Sequence, residues 1–164
     1  MRGPLLWPCL LLLIAFAYQP ADAALAAMSI DLGSQFIKIG IVKPGVPMDI
    51  VLNKESRRKT PNVISFKNDE RFFAEAAAAM ASSHPQSSYS FLLSLLAKKE
   101  GNDAFTTYKK VFPFTAFEFD EERHTVIFPY KEEKYNVETL IAMILWDAKK
   151  ITEAYAGQSI KVES

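Results

Sequence analysis

The stretch Met28–Val42, MSIDLGSQFIKIGIV, constrains the fold of this chain more than any other part of it. Two runs of β-branched and apolar residues flank Asp31, Leu32, Gly33, Ser34 and Gln35. The pattern reads strand, tight turn, strand. Consecutive backbone N–H groups in such a turn form a concave anion site, and a glycine lets a phosphate approach closely. Asp31, at the end of the first strand, is able to hold a hydrated divalent cation against that phosphate. An ordinary β-hairpin with a polar turn carries the same pattern, because D-x-G turns are common. The stretch by itself leaves both readings open.

Beyond the hairpin, turn residues and hydrophobic periodicity divide the chain into elements. Pro44-Gly45-Val46-Pro47 is a turn signal, and Met48–Leu52 reads as a third strand of an antiparallel meander. Lys54–Lys59, KESRRK, is a charged loop. Asn62–Phe66 and Arg71–Phe73 read as strands around a polar turn, and Ala74–Ala81 as a helix of the best helix former, stopped by Pro85. Tyr89–Lys98 reads as a short helix with Phe91, Leu92, Leu95 and Leu96 on one face. Ala104–Val111 is ambiguous between a loop and a helical turn, and Phe114–Phe119 and Thr125–Tyr130 read as a second hairpin. The longest periodic segment is the last. Val137, Leu140, Ile141, Ile144, Leu145, Ala148, Ile151 and Tyr155 fall at spacings of three and four, with Asn136 as N-cap and Gly157 as C′ residue. Such a helix is suited to covering the meander.

Composition excludes some functions. The formal net charge of +0 carries neither a nucleic-acid footprint nor a polybasic membrane surface. His84 has no His or Cys nearby to complete a metal site. Residues 1–23 differ from the rest: Arg2 gives a positive start, Leu5–Ala17 is almost wholly apolar, and Ala21-Asp22-Ala23 has A-x-A spacing. This reads as a secretory signal peptide, too short and too interrupted by Pro8 for a spanning helix, so no membrane association is expected once it is cleaved. The single cysteine, Cys9, lies inside it, so the mature chain enters an oxidising compartment without disulfides. Ile160 and Val162 read as the start of a further strand, which suggests a chain cut short within residues 24–164 of one domain.

SIDLGSQFIKIGIV resembles the first phosphate-binding hairpin of the heat shock protein 70 family, which shares its fold with actin and the sugar kinases. Further pieces match in order: RRKTPNVISF, ERFFAEAAAAMASSHP, FDEERHTVIF, ITEAYAG and IKV. The resemblance spans about residues 27–164, and the KPGVPM turn and NKESRRKTP loop are more similar to the large, atypical secretory-pathway members than to the ordinary lumenal one. It implies an α/β fold: part of the first lobe of the actin-like ATPase, a mixed β-sheet with antiparallel hairpins covered by helices. It implies ATP or ADP and Mg as ligands. Asp31 would face magnesium through water, and the backbone of Gly33, Ser34, Gln35 and Phe36 would cradle the phosphates.

The implied setting is the endoplasmic reticulum lumen, in a chaperone serving folding and survival of stress such as hypoxia. Its implied partners are unfolded clients and the ordinary lumenal chaperone, for which it would act as nucleotide exchange factor. The chain departs from ordinary members at Ser34, Gln35 and Phe36, where they carry two threonines and a tyrosine. An ungapped comparison also places Leu93 where they carry a lysine near the γ-phosphate. Loss of one such electrostatic stabiliser costs ~10²–10³ in rate. Binding is therefore expected to outlast hydrolysis. Because the resemblance places only the opening half of the first lobe in this chain, binding is expected to be weak at best and turnover by the chain alone unmeasurable. Two other readings stay open: a sugar-kinase-like member of the same superfamily, against which the RRKTP loop and the ITEAYAG helix end weigh, and a secreted module that uses no nucleotide.

Overall fold

The computed structural model describes residues 26–160. The expected signal segment, Cys9 and the IKV strand beyond Ile160 lie outside the described residues. Among the described residues, ten strands and three α-helices build three antiparallel sheets around one continuous core. The first sheet holds β1 (Ala27–Leu32), β2 (Phe36–Lys43), β3 (Val46–Ile50) and the two-residue β4 (Thr60–Pro61). The second has the order β6 (Glu70–Phe73), β5 (Val63–Lys67), β7 (Ser88–Ser90), and the third the order β10 (Glu133–Asn136), β9 (Val126–Tyr130), β8 (Glu118–Phe119).

The opening hairpin forms as its alternation dictates. Asp31 pairs with Lys38 and Leu32 with Ile37 across the ladder. Ile37, Ile39 and Ile41 are buried on one face of β2, while Phe36 and Lys38 point to the other. β2 is the hub of its sheet: it pairs with β1 along its length, with β3 towards its end and with β4 at its start. The third strand begins at Val46 rather than Met48, because the turn tightens to Pro44-Gly45, with Gly45 left-handed at φ 74°. In β5, the central strand of its sheet, Val63 to Phe66 are all buried, as a strand covered on both faces requires. It turns back into β6 through Asn68 and Asp69, both at positive φ, a conformation these two residue types tolerate.

Helix α1 (Ala74–Ala81) lies where its alanines predict. Asp103–Val111, ambiguous in sequence, is a helix, α2, with the Asn102 side chain accepting from the Ala104 N–H as N-cap. The expected helix over Tyr89–Lys98 does not form. Ser88–Ser90 pairs instead with Val63–Ser65 of β5, Phe91 turns left-handed at φ 56°, and Leu92–Ser94 makes one 3₁₀ turn. The open edge of a fully buried strand outweighs local propensity here. The expected apolar face survives in part: Leu92 and Leu95 are buried, whereas Leu96 is exposed. Of the strand expected over Phe114–Phe119, only Glu118–Phe119 pairs.

Helix α3 (Val137–Ala156) is the element that joins the three sheets. It packs against β2, β5, β9 and β10. Val137, Leu140, Ile141, Ile144, Ala148 and Ile151 are buried as the periodicity requires, joined by Thr152, whose hydroxyl donates to the Ala148 carbonyl at 2.7 Å. Each large apolar side chain so buried contributes ~1.5–3 kcal/mol. Gly157 is left-handed at φ 68° and its N–H donates to the Glu153 carbonyl, closing the helix. Asn136 stands at the N-cap position with extended backbone and also ends β10, but its side chain makes no capping bond.

Tyr155 is not part of the buried stripe. It is exposed, and its hydroxyl donates to Asp49 Oδ2 at 2.5 Å, while Lys43 Nζ donates to the Ala156 carbonyl at 3.1 Å. These contacts tie the end of α3 to the β2–β3 hairpin. The Tyr155 hydroxyl, and then the Ile50 N–H, hold the Asp49 carboxyl below the usual carboxylate range. A carboxylate so lowered supports the fold above its unfolded pKa and loses that support as pH falls through its folded value. Tyr155→Phe should therefore raise the Asp49 midpoint in a ¹³C carboxyl titration; an unmoved midpoint would show that the hydroxyl does not set it.

Candidate functional site

The turn between β1 and β2 comprises Gly33, Ser34 and Gln35, and the structure places all the expected site residues on or beside it. Asp31 lies two residues before Gly33 on the outward face of β1, its side chain 72% exposed, with Lys38 Nζ 3.9 Å from its Oδ2. Such an exposed pair contributes little to stability, so the carboxylate remains accessible to a hydrated cation. Phe36 opens β2 and is exposed, with Lys59 Nζ 6.0 Å from its ring centroid.

The turn is asymmetric in its hydrogen bonding. The Gly33 N–H donates to the Phe36 carbonyl at 3.1 Å. The Gly33 carbonyl accepts from Asn62 Nδ2 at 2.7 Å, and the Gln35 carbonyl accepts from the Asn62 backbone N–H at 2.8 Å. Among the described residues, the N–H groups of Ser34 and Gln35 donate to no acceptor. Carbonyls tied down beside free amides are the electrostatic signature of an anion-binding concavity. With Lys38 and Lys59 near the rim, the donor set fits a phosphate chain.

A cation fits only in part. Among the described residues, no three His, Cys, Asp or Glu side chains converge as a metal site. Asp31 alone suits a cation that keeps most of its waters and shares its other ligands with phosphate, the habit of magnesium.

Gly33 is needed for space and not for a left-handed backbone. A Cβ at this position would lie 2.6 Å from the Phe36 carbonyl oxygen. Sequence reasoning misses Asn62, which reads only as the first residue of a strand. The sequence signal is weak: Asn62 directly follows Thr60-Pro61, and only the pairing of β4 with β2 brings it to the turn.

Leu93 sits in the 3₁₀ turn after β7, half-buried and packed against the core. Among the described residues, no hydrogen bond or ion pair links this segment to the Gly33 turn. Lys98 and Lys99 lie in an exposed loop, where Lys99 bridges Thr125.

A groove of 820 Å³ lies away from the turn, lined by Arg71, Phe73, Met143, Trp146, Asp147 and Lys150 among others. Burial raises the Asp147 carboxyl above its ordinary range, partly offset by Lys54 and Lys150.

Residues 27–163 match the protein-family model described as Hsp70 protein. A zebrafish (Danio rerio) relative named Hypoxia up-regulated protein 1 is 44% identical over 157 residues, covering 95% of this chain and 16% of the relative. The human (Homo sapiens) protein of that name is 40% identical over 161 residues, covering 98% of the chain and 16% of the relative. The chicken (Gallus gallus) one is 42% identical over 143 residues, covering 87% of the chain and 14% of the relative. The chain thus spans a small part of the length of the relatives it matches.

Proposed function

The chain belongs to the Hsp70 protein family, and on that premise we propose that it forms the opening part of the nucleotide-binding domain of a large chaperone of the endoplasmic reticulum. The fold is the corresponding part of an actin-like ATPase lobe. In the proposed site the amides of Ser34, Gln35 and Phe36 bind the phosphates of ATP or ADP. Gly33 leaves room for them, and Asp31 holds Mg through water. The observation that carries this reading is the turn itself: both its outer carbonyls are engaged by Asn62 while the Ser34 and Gln35 amides, among the described residues, are free.

Residues 1–23 would direct the chain to the secretory pathway as a cleaved signal peptide, within a folding and stress-survival role. Unfolded clients and nucleotide exchange on the ordinary lumenal chaperone belong to the same proposal, and the names of the relatives are consistent with a stress setting. Among the described residues no helix is long and apolar enough to cross a membrane.

Titrating ¹⁵N-labelled chain with ATP, with and without Mg, tests the site. The Ser34 and Gln35 amide signals should shift, with a Mg dependence that Asp31→Ala removes. No phosphate release should accompany binding, because Leu93 cannot donate to developing phosphate charge. Unmoved turn amides at millimolar Mg·ATP would sink the nucleotide reading. Robust turnover abolished by Asp31→Ala would overturn the expectation of an inactive chain.

A further inference from the structure

The turn owes its asymmetry to one side chain. Asn62 is 3% exposed and separated from Gly33 by 29 residues, yet its side-chain and backbone nitrogens both bind the turn. The Gly33 carbonyl can only accept, so the contacting atom of Asn62 is its amide nitrogen. The Gly33 carbonyl and the Ser34 N–H belong to one planar trans peptide and point in opposite directions. Holding that oxygen against Asn62 therefore turns the Ser34 N–H away from Asn62. The Gln35 carbonyl and the Phe36 N–H share the next such peptide but one, and the Asn62 backbone N–H fixes it in the same way.

Without the side-chain bond the Gly33–Ser34 peptide loses the partner that holds its carbonyl, and a rotated peptide would present a carbonyl dipole to an incoming anion. We infer that Asn62 is the positioning residue of the phosphate-binding turn: its side chain sets the Gly33–Ser34 peptide plane so that the Ser34 N–H, and not the Gly33 carbonyl, faces the ligand, while its backbone N–H anchors the far side of the turn at the Gln35 carbonyl. This inference rests on the phosphate reading proposed above. It also accounts for the tolerance of Ser34, Gln35 and Phe36 at the site, since the backbone, not their side chains, is what is held.

The test is amide NMR of the 164-residue chain titrated with Mg·ATP and with magnesium tripolyphosphate. Asn62→Ala should weaken both by about tenfold, the worth of a lost buried hydrogen bond, and should speed hydrogen exchange at the Gly33 N–H. Asn62→Asp keeps the shape but sets a carboxylate oxygen against the Gly33 carbonyl. It should bind more weakly still at neutral pH and recover relative to wild type as acid converts the new side chain into a donor. A merely structural role would not produce that recovery, and the comparison stands even if Asn62→Ala does not fold. Ser65→Ala is the control: it deletes a buried hydroxyl bonded to the Ala77 carbonyl and to Ser88 Oγ, and should leave phosphate affinity unchanged. A wild-type chain whose turn amides ignore both probes would overturn the phosphate reading and this role together. Equal affinity in wild type and the Asn62 variants would overturn the positioning role alone.

Discussion

Gly33→Ala should abolish the response of the turn to Mg·ATP and lower the stability of the chain. The added Cβ would lie 2.6 Å from the Phe36 carbonyl oxygen, and that oxygen is backbone, so no side-chain rotation relieves the clash. Relief requires breaking the 3.1 Å bond from the Gly33 N–H to the same carbonyl, which opens the hairpin at its tip. Opening moves the Gly33 carbonyl off Asn62 and releases the Ser34 peptide plane. One methyl group therefore removes both the room for a phosphate and the order of the amides that would bind it. Replacing glycine stiffens the unfolded chain, which favours folding by ~0.4–1 kcal/mol where the native backbone accepts the change. Overpacking of this kind costs ~1–3 kcal/mol, so the net effect is destabilising. Urea unfolding and the amide titration check the two halves independently. A folded Gly33→Ala chain with wild-type nucleotide affinity would refute the proposed role of the turn.

The residues that make this prediction possible are unequally legible in the sequence. Met28–Val42, Ala74–Ala81 and the long helix are encoded in local alternation or in a three-and-four period, and they form where the residues say. The segments that depart from their local pattern are decided by partners far along the chain. Ser88–Ser90 is extended because β5 offers it an edge, and Thr60–Pro61 pairs because β2 passes it. The β10 strand is equally hidden, since Glu133–Asn136 carries no alternation of its own and is held by β9.

The candidate site divides along the same line. Asp31, Gly33, Ser34, Gln35 and Phe36 are contiguous or nearly so and are recognisable as a motif. Asn62 is not, because its role exists only after a cross-chain pairing has formed. The family resemblance supplies chemistry that spacing alone leaves open between a plain hairpin and an anion site. It does not supply the identity of the group that orients the turn.

That dependence on distant partners also identifies the core position whose loss should be felt most widely. Phe128, on β9, is fully buried, and its ring lies 4.9 Å from Tyr89 of β7, 6.1 Å from Tyr108 of α2 and 6.4 Å from Phe117, centroid to centroid. Through it the third sheet reaches the second. Phe128→Ala should cost ~3–5 kcal/mol, since the surrounding rings are held by their own strands and helix and cannot collapse into the space. Against a total of ~5–15 kcal/mol for a domain, that is a large share. The cavity would be lined by Tyr89 and Tyr108, whose hydroxyls burial already holds well above their ordinary pKa, Tyr89 at about 12. Within the core, Tyr89 donates to the Pro129 carbonyl, whereas the Tyr108 hydroxyl has no partner among the described residues. Water entering the cavity would find that hydroxyl, so part of the loss should be recovered, and Phe128→Leu, which leaves less room, should cost less than half as much. Thermal and urea unfolding of the two variants give the ratio. The opening hairpin belongs to another sheet, so at temperatures where Phe128→Ala remains folded, its turn amides should keep the wild-type response to Mg·ATP. Loss of that response in a folded variant would mean that the three sheets do not act as separable supports, and that the site depends on the whole core rather than on Asn62 and Gly33.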